Sequence, residues 1–220
     1  MAPQPHSERA HALLSASGAS RWMGCTPSAR LEEQYGEPNV PSPYAAEGTT
    51  AHELAELYIR HDLSYICDSE FNDKLEDLMD KESFNEEMFN EVPKYVDYVI
   101  EQYKAALADT PDAKILIEER IDLSSYIPEA FGSCDCNIIG DGHLEVIDLK
   151  YGKGIPVSAT ANKQLMLYAL GAYQKYEMLY EINSISLTIV QPRLDNISTW
   201  YLTVEDLLNW AENEVRPKAE

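Results

Sequence analysis

Basic residues are scarce in this chain: 17 lysines and arginines stand against 38 aspartates and glutamates in 220 residues, a formal net charge of −21. Affinity for phosphates comes mainly from lysine and arginine, so the balance argues against a surface that clings to nucleic acid non-specifically. Nucleic-acid chemistry here needs a local exception. Long apolar runs are missing too: none approaches the roughly 18 residues that a membrane-spanning helix takes. The start, MAPQPHSERAHALLSASGAS, lacks the basic-then-apolar order of a secretory signal. The expectation is a cytoplasmic protein with no membrane association. Cysteine is limited to Cys25, Cys67, Cys134 and Cys136, with no paired C-x-x-C, which points to reduced, mostly buried thiols rather than disulfides or a zinc site. What remains is a chain that is 45% apolar and long enough for one domain, or one plus an appendage, with a sizeable core.

Along the chain, periodicity predicts helices first. One runs over about 20–35 with Trp22, Met23, Leu31 and Tyr35 as core contacts, broken or kinked at Pro27. A proline-rich loop over 36–46 precedes a helix over about 49–61, where Ala51, Leu54, Ala55, Tyr58 and Ile59 recur at helical spacing. The span 68–112 holds 14 acids and 4 bases, nearly half of the net charge, and its Phe84, Met88, Tyr95, Val99, Tyr103 and Leu107 predict a helix over about 84–108 with a solvated acidic face. After Pro111 the pattern changes to β-branched runs: KILIEERIDL, FGSCDCNIIG and HLEVIDLK read as three strands. ATANKQLMLYALGAYQKYEMLY reads as a helix, SISLTIVQPR and ISTWYLT as two more strands, and VEDLLNWAENEV as a last helix. The expected organisation is an N-terminal helical segment and loop over 1–46, then one α/β domain over 47–220 with an acidic helical insertion at about 68–112.

Asp141-Gly142 is a strong signal for a two-residue hairpin loop. Counting back from it pairs Gly140 with His143 and, further down, Asp135 with Asp148. Carboxylates placed opposite one another on adjacent strands repel, so something must neutralise them. The strand period of two sets Lys150 on the same side as Asp148. An ordinary surface salt bridge is one account of the cluster. The other is Mg²⁺ or Mn²⁺ between the carboxylates, since hard cations take anionic oxygens and keep open positions for water and a phosphate. An apolar strand delivering both charges, followed by Gly152 and Gly154, favours the second.

Gly132-x-x-Asp135, Asp148-x-Lys150 and Gln164-x-x-x-Tyr168, preceded by Gly48-x-x-x-His52, resemble the RecB-like branch of the PD-(D/E)XK nucleases, which includes the CRISPR-adaptation exonucleases. WMGCTPSARLEEQYG, AAEGTTAHELAE, GSCDCNIIG, IDLKYGKGIPV and QLMLYALGA more closely resemble an uncharacterised phage and prophage family of that branch, over about residues 11–220. The resemblance implies a restriction-endonuclease-like α/β core, a central mixed sheet flanked by helices, with an N-terminal helical addition. It implies that His52, Asp135 and Asp148, with the backbone carbonyl of Leu149, bind Mg²⁺ or Mn²⁺, and that Lys150 holds or helps deprotonate the attacking water. Gln164 and Tyr168 would support the site or touch the DNA backbone, and Glu118 matches the acidic residue of the preceding strand. Lys153 and Lys163 are candidate phosphate contacts. Longer relatives hold an iron–sulfur cluster with three cysteines near the C-terminus and one placed like Cys25. This sequence lacks those three, so no cluster is expected.

The function so implied is a metal-dependent deoxyribonuclease, an exonuclease of phage or prophage recombination or replication, working in the bacterial host cytoplasm. The rival is a non-catalytic module of the same fold that acts through a recombination or single-strand annealing protein, favoured by the acidic 68–112 span. Each residue also has a plainer role open to it: His52 as a hydrogen-bonded core histidine, and Tyr168 as part of an aromatic stripe with Tyr173 and Tyr176.

Overall fold

The computed structural model describes residues 12–35 and 42–219. The predicted first helix is two, α1 (Ala19–Trp22) and α2 (Ser28–Tyr35), and the break falls just ahead of Ser28, at Pro27. Trp22 and Met23 are buried as expected, but Leu31 and Tyr35 lie 52% and 73% exposed, because beyond the break α2 buries only Ala29. The next helix, α3 (Pro43–Asp62), starts earlier than its periodicity suggests. Ser42 caps it by accepting from the Ala45 amide, and Pro43 occupies its first position, where a missing N–H costs nothing. Of the loop expected over 36–46, residues 36–41 lie outside the described residues. The acidic span forms α4 (Asp68–Met79) and α5 (Met88–Asp109).

Five strands follow: β1 (Lys114–Asp122), β2 (Phe131–Gly140), β3 (Gly142–Leu149), β4 (Ile182–Gln191) and β5 (Asn196–Thr203), in spatial order β1-β2-β3-β4-β5. The hairpin register expected from Asp141-Gly142 is the one observed, from Gly140 opposite His143 to Cys136 opposite Ile147. Gly142 takes φ +86°, a value that this tight turn demands and glycine accepts without strain. Strands β3 and β4 are parallel and the other neighbours antiparallel, so the sheet is mixed. The parallel step needs a crossover, supplied by α6 (Lys163–Tyr176), shorter at both ends than its apolar run suggests.

One face of the sheet carries α3 and α5, with Leu54, Ile59, Met88, Val92 and Val99 packed on Ile115, Ile138, Ile147 and Leu149. The other carries α1, α6 and α7 (Val204–Trp210), with Trp22, Leu165 and Leu207 packed on Leu144, Val146, Leu187 and Ile189. The last helix predicted to Val215 widens into a π turn over Ala211–Val215 before α8 (Arg216–Ala219). The chain is thus a mixed α/β fold with helices on both faces of a five-stranded sheet. Cys134 and Cys136 are buried free thiols, whereas Cys25 and Cys67 are exposed, so the expectation of mostly buried cysteines holds for two of the four. Among the described residues no helix is long and apolar enough to cross a membrane.

Candidate metal centre

Alternation of faces along β1 and β2 slips at the same place. Ile117 pairs with Cys136 and Glu119 with Cys134, but the ladder skips the position between, where Glu118 faces Asp135. Glu118 adopts φ +50°, strained for a residue with a side chain. The slip turns both carboxylates toward α3, on which His52 sits. His52 Nδ1 lies 3.3 Å from Asp135 Oδ2 and 3.8 Å from Glu118 Oε1. One ligand atom from each of the three falls within 4.8 Å of the other two. The Lys150 amide donates to Val190 on β4, so the Leu149 amide, one residue back, points to β2 and donates to Asp135 Oδ2 at 2.8 Å. That bond fixes the carboxylate where β2 and β3 part.

Asp148 takes another direction. It is 1% exposed and turned to the α6 face, where Lys150 Nζ lies 2.8 Å from Oδ2 and Gln164 Nε2 donates to Oδ1 at 3.1 Å. Lys150 also donates to Gln164 Oε1 (3.1 Å), and Gln164 Nε2 reaches the Tyr168 hydroxyl (3.2 Å). Asn162 caps α6 by accepting from the amides of Gln164 and Leu165, which places Gln164 at the helix mouth. Gly132 is required opposite Tyr168: a Cβ there would stand 2.8 Å from the ring. The expected residues therefore fall into two adjoining groups, His52–Glu118–Asp135 and Asp148–Lys150–Gln164–Tyr168. Of the two phosphate candidates, Lys153 is paired with Glu87 (2.7 Å) and Lys163 lies close enough to Glu214 to act on its charge.

Electrostatics mark the first group as a site short of positive charge. Burial disfavours a charged His52 ring, yet Asp135 and Glu118 overcome it and raise the pKa to about 10. Burial pushes the Glu118 carboxyl up, against the pull of His52. Burial and the charge of Asp135 raise Asp148, and Lys150 opposes them. A void of about 10 Å³ lies between His52, Glu118, Asp135, Leu149 and Tyr95. That is room for about one water-sized particle. Tyr95, on α5, is 1% exposed and its hydroxyl has no hydrogen-bond partner. An imidazole nitrogen and two carboxylates around a particle-sized gap are a donor set that suits a divalent cation with its water.

From residue 11 to residue 220 the chain matches the family described as Protein of unknown function (DUF2800). It belongs to that family. Among solved structures, "Crystal structure of SSO0001" is similar to this DUF2800 chain at 11% identity, over 84% of this chain and 81% of that one, with a TM-score of 0.24.

Sequence reasoning about the DUF2800 chain missed three side chains at or beside the site. Tyr95 read as one more apolar position of a helical stripe, and only its hydroxyl sets it apart. Tyr151, next to Lys150, is 3% exposed with an unpartnered hydroxyl. Arg193 ended a predicted strand, yet its side chain is 7% exposed and bonds Glu47 (3.0 Å) and Glu87 (2.7 Å). An arginine directly after a buried strand was the available signal for the last, since such a residue needs acidic partners.

Proposed function

We propose that this DUF2800 protein is a metal-dependent deoxyribonuclease of the PD-(D/E)XK type, with the metal held by His52, Glu118 and Asp135. The observation that carries the reading is the void lined by those three residues and by Tyr95, beside a buried Asp148 paired with the partly exposed Lys150. A divalent cation bound there supplies charge to the scissile phosphate and acidifies a bound water. The chain's own residues supply the rest. Lys150 donates to Gln164 Oε1 and sits 2.8 Å from Asp148 Oδ2 as an ion pair, and an ammonium with three donors keeps capacity for a phosphate oxygen or the attacking water. Gln164 holds the lysine from the helix side through a bond that a hydrophobic residue could not make. Asp135, anchored by the Leu149 amide, keeps its second oxygen free for a ligand.

The test is digestion of end-labelled single- and double-stranded DNA and of a closed circle with Mg²⁺ or Mn²⁺. Wild type is expected to cut, and Asp135→Ala and Lys150→Ala to lose activity by about a hundredfold or more, the scale of removing a positioned electrostatic group. Variants that cut as well as wild type would sink the assignment. A non-catalytic module is favoured by one observation: Asp148 is engaged by Lys150 and Gln164 rather than turned to the three metal donors. Wild type that binds DNA or a recombination protein and cuts no DNA form would make that reading the better one.

A further inference from the structure

A second hollow, about 220 Å³, lies between α5 and the hairpin end of the sheet, and its lining includes Tyr98, Asp109, Asp141, His143, Glu145 and Tyr201. Glu145 stands four residues before Leu149 on β3, about 13 Å along the strand at roughly 3.3 Å per residue, so the hollow is apart from the metal centre. Three carboxyl groups line it, and no lysine or arginine does. His143 does not supply the missing charge. Its Nδ1 lies 2.8 Å from Ser184 Oγ and its Nε2 2.8 Å from Ser186 Oγ, and burial lowers its pKa, which keeps the ring neutral near pH 7.

Glu145 is 8% exposed, and its two oxygens differ. Oε1 accepts from the Tyr98 and Thr188 hydroxyls at 3.3 Å each, while no donor among the described residues reaches Oε2. Nor is Oε2 sealed in, so it opens on the hollow that Glu145 lines. A carboxylate so placed lacks the counter-charge that a buried charge needs. Geometry selects among the cations that could supply it. Among the described residues no three ligand atoms of this hollow come within 4.8 Å of one another, as those of the metal centre do. A guanidinium fork pairs best with both oxygens of one carboxylate, and here Oε1 already holds two hydroxyls. An ammonium takes a single oxygen and turns its other donors elsewhere. Asp109 and Asp141 are exposed, and neither has an ion-pair partner among the described residues; Asp141 accepts from the Glu181 amide. They offer room for a second positive centre. Tyr98 and Tyr201 add aromatic surface, which suits methylenes and ammonium groups alike. The volume, below the roughly 300–1,000 Å³ of most small-molecule sites, fits a narrow chain.

We propose that this hollow binds an aliphatic diamine or polyamine, with one terminal ammonium on Glu145 Oε2 and a second positive centre at Asp109 and Asp141. The site goes beyond the nuclease reading and does not depend on it. The test is calorimetric titration of the full chain with 1,4-diaminobutane, spermidine or butylamine in 0.15 M NaCl, which screens exposed charges over about 8 Å. At pH 8, above the value of about 7 to which burial raises its carboxyl, Glu145 is ionised. Wild type is expected to bind one diamine or one spermidine saturably there, and butylamine about two- to fivefold more weakly, the scale of one exposed ion pair. Glu145→Gln, nearly isosteric, is expected to weaken diamine binding about tenfold or more, as loss of one charge-assisted hydrogen bond predicts. Asp109→Asn, at an exposed position that the fold does not depend on, is expected to bring diamine affinity down to that of butylamine. Absence of saturable diamine binding by wild type overturns the proposal. So does an affinity that Glu145→Gln leaves unchanged, which would assign the binding to the acidic surface at large. Butylamine that binds wild type as tightly as the diamine overturns the second contact.

Discussion

Glu145 is a buried carboxyl away from the metal donors. It is 8% exposed on β3 and accepts from the Tyr98 and Thr188 hydroxyls at 3.3 Å each. Asp109, Asp141 and His143 line the same hollow. Burial, only partly offset by those two bonds, lifts its pKa from 4.5 to about 7. The native state therefore keeps a proton that the unfolded chain has already released, and stability falls as pH rises from 4.5 to about 7, then levels off. At roughly 1.4 kcal/mol per unit the loss approaches about 3 kcal/mol. Glu145→Gln is nearly isosteric and carries no charge to bury. Its melting temperature is expected to exceed that of wild type by several degrees at pH 8 and to differ little at pH 5. Melting curves with the same gap at both pH values would show that Glu145 is not the titrating group.

At the scale of elements, α6 carries Gln164 and Tyr168 and bridges β3 to β4. It packs close to β1 only because residue 171 is glycine: a Cβ there would meet Ile121 Cγ2 at 2.1 Å and the Asp122 carbonyl at 2.9 Å. Alanine is favoured over glycine inside a helix by about 1 kcal/mol, but overpacking costs typically 1–3 kcal/mol and here part of the obstacle is backbone. The second effect wins. Gly171→Ala is expected to lower stability by about 1–2 kcal/mol, read as a drop in denaturant midpoint. A midpoint that rises would mean that α6 slides freely on the sheet.

The same elements show what a sequence carries and what it does not. The β2–β3 register followed from Asp141-Gly142 because hairpin loop length fixes pairing, and every observed pair agrees down to Cys136 and Ile147. The alternation of β1 did not carry through to Glu118, since the slip that turns Glu118 and Asp135 to the same side is a backbone event, marked by φ +50° at a residue whose type gives no sign of it. Hence Glu118 joined His52 and Asp135, while Asp148 turned to α6. Leu31 and Tyr35 failed as core residues for a related reason: periodicity identifies a face but not whether anything covers it. Buried hydroxyls such as Tyr95 were illegible because a tyrosine in a helical stripe looks the same whether or not its oxygen has a partner.

Across the whole molecule the net charge of −21 makes the folded state repel itself, so any added salt relieves some strain by screening. A metal site must be separated from that general effect. Specific binding stabilises the native state by mass action, about 2.7 kcal/mol when free metal reaches a hundred times its dissociation constant. Screening depends on ionic strength alone and is spread over surfaces such as α4, where acids crowd from Asp68 onward. Mn²⁺ is therefore expected to raise the melting temperature well beyond NaCl of matched ionic strength, and the excess is expected to disappear in His52→Ala and Asp135→Ala while the response to NaCl persists. Glu118→Gln, which keeps the shape and drops one charge, should retain part of it. If Mn²⁺ and NaCl act alike in wild type, the acidity of the chain is a property of its surface, and the three residues that meet beneath α3 are an ion pair rather than a metal centre.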